Sequence, residues 1–158
     1  MEIEFLETDL PKVAKKLKGQ FKAGDIVGFS GQLAAGKTTL ISQIVLAYGY
    51  TGRVSSPTFV IEHRYPLSDN QKINEIIHLD LYRLNQEDLG SIADKERPLS
   101  SFHAAIDWAE YRHQKRMLVF VEWPERLNAG LLPINKQVNI EIINEKKRKL
   151  TLSNNPTN

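Results

Sequence analysis

A chain that grips polyphosphate needs closely spaced backbone N–H donors, a helix N-terminus facing the negative charge, a cation, and a hydroxyl for Mg²⁺. The octapeptide Gly31-Gln32-Leu33-Ala34-Ala35-Gly36-Lys37-Thr38 fits G-x-x-x-x-G-K-[ST] and offers all four. Lys37 is placed to reach the terminal phosphates, and Thr38, one residue deeper, to ligate Mg²⁺. Ala35-Gly36 leaves the approach to phosphate open. Ala34 is less comfortable, since its methyl group penalises positive φ by about 1–2 kcal/mol if the loop requires it there. The competing reading is a glycine-rich turn with a surface lysine.

Two carboxylates fall where such a loop could use them. Glu122 follows the apolar run Met117-Leu118-Val119-Phe120-Val121, at the carboxyl edge of a strand, where α/β sheets build their ligand crevice. A group there orients an attacking water or completes the Mg²⁺ shell, unless it is only an exposed strand-end glutamate. Asp80 shares a strand face with Ile76, His78 and Tyr82, and could hold Mg²⁺ directly or through water. Alternatively, His78 and Asp80 pair with each other or cap a turn.

Weaker signals surround these. Thr58, in Ser56-Pro57-Thr58-Phe59, lies where several P-loop proteins keep a switch segment, and its hydroxyl could sense a γ-phosphate. Trp123 is expected to pack on Pro124 as an anchor rather than stack on a nucleotide. Lys146-Lys147-Arg148-Lys149 reads as a solvated hairpin tip, or as a contact for a phosphate of ATP or RNA. Asn135-Lys136-Gln137-Val138 has valine where a guanine reader needs an aspartate, which favours ATP over GTP.

The elements that must position these groups can be read from spacing. Leu10, Val13, Ala14, Leu17 and Phe21 recur at helical intervals after the capping pair Thr8-Asp9, with Pro11 tolerated in the first turn. Residues 26–30 form a short buried strand, and Thr38 to Tyr48 a helix that Gly49 ends. Phe59 to Tyr65 and Lys72 to Tyr82 predict an antiparallel pair beside a parallel core. Short helices are expected over 84–92 and 100–116, a buried strand over 117–121, and two final strands around Val138–Ile142 and Leu150–Leu152. The whole predicts a single-domain α/β P-loop fold over residues 1–153, with a mostly parallel central sheet, antiparallel additions and flanking helices, then a frayed tail over 154–158.

Bulk properties narrow the class. A chain of 158 residues is one domain on length priors. With 41% hydrophobic and 25% charged residues it needs neither disorder nor a fibrous repeat to explain it. The absence of cysteine excludes disulfides, thiolate metal sites and thiol nucleophiles. Met1-Glu2-Ile3-Glu4-Phe5 is acidic and alternating, unlike a secretion signal, and no apolar run approaches ~20 residues, so a cytoplasmic protein without membrane contact is expected. A net charge of +2 does not demand nucleic acid as a direct ligand.

Jointly, G-x-L-x-A-G-K-T-T at 31–39, S-P-T-F at 56–59, H-x-D-x-Y-R at 78–83 and V-E-W-P-E-R at 121–126 resemble the bacterial TsaE (YjeE) family, ATPases of tRNA threonylcarbamoyladenosine biosynthesis. The resemblance implies a compact P-loop protein that binds ATP and Mg²⁺ and hydrolyses slowly alone. It also implies work with the TsaB–TsaD pair, which modifies adenosine 37 of tRNA, so that tRNA is met through that complex; a monomer is expected when free. Gly31, Leu33, Ala34, Ala35, Gly36, Lys37, Thr38 and Thr39 would hold the nucleotide. Family roles carry to Thr38 and Glu122 for Mg²⁺, to Asp80 and Thr58 for the catalytic or switch apparatus, and to Trp123 beside them. They extend to Arg148 of the final hairpin and the segment near Thr8 as nucleotide contacts. Two departures bear on affinity and turnover: the family usually reads G-D-L-G-A-G-K, where this chain has Gln32 and Ala34, and residues 90–116 are longer than usual.

Two other classes use the same loop. A small-molecule kinase needs an acceptor pocket and arginines that close over the phosphate, for which Arg83, Arg97, Arg112 and Arg126 are scattered candidates. A nucleotide-sensing module would bind without turnover, as Ala34 makes conceivable.

Overall fold

The computed structural model describes residues 1–55, 62–68, 72–83, 116–127 and 132–155. Strands β1 (Glu2–Leu6), β2 (Ile26–Gly31), β3 (Glu62–Pro66), β4 (Glu75–Asp80), β5 (Met117–Glu122), β6 (Lys136–Ile142) and β7 (Lys147–Asn154) form one sheet in the order β1-β7-β6-β2-β5-β4-β3. The four inner strands β6, β2, β5 and β4 run parallel, while β3, β7 and β1 add antiparallel. The α/β architecture with a parallel centre and antiparallel additions therefore stands as predicted.

Burial explains the order of strands. β5 is buried at every position, as a continuous apolar run between two parallel neighbours must be. Helices α1 (Leu10–Lys18) and α2 (Lys37–Ala47) pack against one side through Val13, Ala14 and Leu17, and through Leu40, Ile41, Ile44 and Val45. There they meet Phe29 and Phe120, whose rings cross edge to face at 5.3 Å. Ile77, Leu79, Val119 and Val121, alternating with those positions along β4 and β5, build a second apolar cluster.

Several local expectations change. The acidic N-terminus is strand β1, whose Phe5 enters the core while Glu4 and Glu2 pair with Lys147 and Lys149 of β7, the latter at 3.3 Å. Lys147, Arg148 and Lys149 thus belong to a strand, and two of the lysines in that basic run are engaged by acids across the ladder. Asp9 does not cap α1 with its side chain. A 3-10 turn over Glu7–Asp9 intervenes, and the Asp9 carboxylate accepts the Leu6 N–H at 3.1 Å instead. Phe21 is buried but lies beyond the end of α1. Asn154 is not frayed, because it pairs with Lys136. The helices expected over 84–92 and within 100–116 lie outside the described residues. Among those described, no helix is long and apolar enough to cross a membrane.

Candidate functional site

β2 ends at Gly31, and the chain turns through the glycine loop into α2. Gly31 has φ 141°, and a Cβ there would run into the carbonyl oxygen of Ile140 on β6, so the close approach of loop to sheet requires glycine. Gly36, at the N-cap of α2, has φ 98°. Ala34 adopts φ 64°, so the loop does demand a left-handed residue where this chain carries a methyl group. The first amide groups of α2 have no partners within their own helix, and Gly36, Lys37, Thr38 and Thr39 line the cleft above the loop.

Lys37 is 4% exposed, and its ammonium donates to the carbonyls of Gly31 at 2.8 Å and Gln32 at 3.0 Å. The same nitrogen lies 3.8 Å from the centre of the Trp123 ring. Burial pushes the Lys37 amine below its ordinary value, while Glu122, Glu125 and Asp80 pull the other way. Trp123 itself is left-handed, φ 59°, and its ring sits 5.0 Å from that of Tyr82. It is a wall of the cleft and not merely an anchor on Pro124.

Glu122 is 2% exposed and faces the start of α2. The Thr38 hydroxyl lies 2.7 and 2.9 Å from its two carboxylate oxygens. Asp80 is the register partner of Glu122 across the parallel β4–β5 ladder, so both acids emerge at the same level of the sheet. Asp80 also accepts the Tyr82 N–H at 3.0 Å and so caps the turn that follows β4. It does not pair with His78, which turns to Glu122 Oε1 at 2.8 Å. His78 is the residue whose partner sequence reasoning missed; its signal was a polar side chain in the middle of a strand, among Ile76, Ile77 and Leu79.

A cleft of about 290 Å³ is bounded by Leu33, Ala34, Gly36, Lys37, Thr38 and Thr39 of the loop and helix, and by Asp80, Tyr82, Glu122 and Trp123 opposite. A second, of about 170 Å³, shares Ala34, Gly36 and Thr39 and continues between β1 and the last hairpin to Ala35 and Arg148. Arg148 thus borders the loop, with its guanidinium donating to the Asn144 carbonyl at 2.8 Å. Thr8 is exposed and does not line that cleft, although its neighbours Glu7 and Leu10 do. Thr58 lies outside the described residues, as do Arg97 and Arg112.

The altered guanine-reader segment is structural. Asn135 accepts the Ile26 N–H at 2.9 Å and donates to Asp25 at 2.8 Å, and Val138 is fully buried.

A family model described as threonylcarbamoyl adenosine biosynthesis protein TsaE matches residues 6–151. The protein of Rickettsia felis named tRNA threonylcarbamoyladenosine biosynthesis protein TsaE is 31% identical over 150 residues, covering 94% of this chain and 77% of that one. A protein of the same name from Synechocystis is 31% identical across 79% of this chain and 72% of its own length. Another from Streptomyces coelicolor is 37% identical over 63% of this chain and 66% of its own length, so a third of that relative lies outside the match. A crystal structure of Bacillus subtilis YdiB shares the fold, with a TM-score of 0.65 at 24% identity over 98% of this chain and 84% of that one.

Proposed function

The chain belongs to the TsaE family of threonylcarbamoyladenosine biosynthesis proteins, and from that premise we propose that it is the ATP-binding and ATP-hydrolysing component of this tRNA modification, acting in the cytoplasm with a TsaB–TsaD complex. The observation that carries the reading is the convergence of Lys37, Thr38 and Glu122 on one cleft at the mouth of α2. ATP rather than GTP fits, since Asn135 is committed to Ile26 and Asp25.

The donors suit Mg²⁺. Thr38 and Glu122 present a hydroxyl and a carboxylate in contact, with the Asp80 carboxylate beside them, and all are hard oxygen ligands. Among the described residues no three acidic, histidine or cysteine side chains gather into a protein-only metal cage. Mg²⁺ takes one or two carboxylates and fills its remaining positions with phosphate and water. Held by Thr38, Glu122 and Asp80, the ion would supply positive charge against the negative charge that develops on the phosphates.

The chain's own groups do the rest. Lys37 exchanges its two carbonyl acceptors for phosphate oxygens, and the amides of residues 31–39 with the helix N-terminus receive the remaining negative charge. Glu122 and Asp80 orient the attacking water and ligate the ion, and Trp123 with Tyr82 shields one side of the reacting centre. Arg148 contacts the nucleotide from the second cleft, and Thr58 serves as the switch threonine. ATP binding sets the conformation that docks on TsaB–TsaD, and hydrolysis to ADP and phosphate resets it.

The test is ATP turnover by this chain with and without its cognate TsaB–TsaD. Stimulation is expected. No stimulation, together with intact tRNA modification after deletion of the gene, would refute the assignment.

A further inference from the structure

His78 lies within β4, is fully buried, and borders no part of the cleft. An imidazole taken out of water is costly unless its polar atoms are used. Its Nε2 meets Glu122 Oε1 at 2.8 Å, whereas Nδ1 has no hydrogen-bond partner among the described residues. A carboxylate accepts, so Nε2 donates the hydrogen of that contact to Glu122 Oε1. One nitrogen of a buried ring is thus spent wholly on one carboxylate oxygen.

Among the described residues, two side chains hold the Glu122 carboxylate: the Thr38 hydroxyl from α2 and His78 from β4. Thr38 is the group that turns to Mg²⁺ in the function proposed above, so it cannot be the constant restraint. The imidazole, held in a strand between apolar neighbours, can. We infer that His78 is a positioning residue that pins Glu122 Oε1 and thereby aims the rest of that carboxylate at Thr38 and the cleft. It touches no nucleotide and acts through Glu122 alone. The same strand delivers Asp80 two residues later, so the spacing of 78 and 80 fixes one acid while supplying the other. This inference rests on the role proposed for Glu122.

The test compares His78→Gln, His78→Asn and His78→Leu in the full chain with TsaB–TsaD. Gln places an amide nitrogen four bonds from Cα, as imidazole places Nε2, whereas Asn stops one bond short. His78→Leu and His78→Asn should lower kcat about 10–100-fold with KM for ATP within about twofold, and should raise the Mg²⁺ concentration needed for tight ADP binding in calorimetry. His78→Gln should recover most of both. In a Glu122→Ala background, His78→Leu should change nothing further.

The inference is overturned, with the Glu122 role intact, if Glu122→Ala loses turnover while His78→Leu and His78→Asn keep it. It is also overturned if His78→Gln falls as far as His78→Asn, or if losses simply follow the melting temperature. Unchanged turnover in Glu122→Ala would remove the role of Glu122 and this inference together.

Discussion

Thr38 on α2 and Glu122 on β5, 84 residues apart in the chain, share a single hydroxyl hydrogen: Thr38 Oγ1 lies 2.7 Å from one carboxylate oxygen and 2.9 Å from the other. The contact joins the phosphate loop to the carboxyl edge of the sheet, and both partners are side chains suited to Mg²⁺. In the proposed function, phosphate grip depends instead on Lys37 and backbone amides. Glu122→Ala should therefore lower partner-stimulated ATP turnover by at least about 100-fold while ADP affinity stays within about tenfold. Steady-state turnover and calorimetry measure the two quantities separately, and undiminished turnover removes the role of Glu122.

Ala34 holds φ 64° in the loop. An L-residue there is strained by about 1–2 kcal/mol, and glycine relieves this while adding about 0.4–1 kcal/mol of unfolded-state entropy. Ala34→Gly should then stabilise the chain by about 0.5–1 kcal/mol in urea unfolding. Gly31→Ala should be strongly destabilising, because there the added carbon meets the Ile140 carbonyl as well. A destabilised Ala34→Gly would show that the methyl group packs usefully where it sits.

Legibility in the sequence followed the range of the forces involved. β2, the loop and α2 were readable because strand burial, glycine conformation and helix entry are all local, and β5 because a strand buried on both faces needs a continuous apolar run. β1 was not, since Glu2-Ile3-Glu4-Phe5 becomes a strand only when Lys147 and Lys149 lie opposite. Glu122 was found by its place at a strand end, but its link to His78 depends on the β4–β5 register, which no local pattern encodes. The residue types alone made Trp123 an anchor on Pro124, and its place beside the site came only from the family resemblance, because its neighbours Lys37 and Tyr82 arrive from distant elements. Val138 alone told against a guanine-reading role for Asn135, whereas its bonds to Asp25 and Ile26 needed the fold.

The Lys37 ammonium stands 3.8 Å from the centre of the Trp123 ring. Recruiting that charge to phosphate withdraws a cation from the indole face and alters the polarity around it. The chain has two tryptophans, so Trp108→Phe leaves Trp123 as the sole indole. Titrating this variant with ADP and Mg²⁺ should change its fluorescence saturably, and Lys37→Ala should abolish the response. A signal that persists without Lys37 would assign it to direct nucleotide contact.

Alkaline stability should depend on two phenols. Tyr48 donates to the Lys18 carbonyl at 3.1 Å, and burial, with Asp25 adding to it, pushes its phenol well above the usual range. Tyr65 donates to the Ser55 carbonyl at 2.9 Å, and burial, helped by Tyr50, pushes it up to about 12. Unfolded phenols ionise near pH 10. Below that both states keep the proton, and the stabilising contribution is complete. Between pH 10 and about 12 the unfolded chain releases its protons first, so stability falls as pH rises. Urea midpoints should decline across that window, and Tyr65→Phe should flatten the decline while losing about 1 kcal/mol at pH 8. Tyrosinate absorbance should show these two of the five tyrosines ionising late, with unfolding. Uniform ionisation of all five near pH 10 would contradict the burial of both rings.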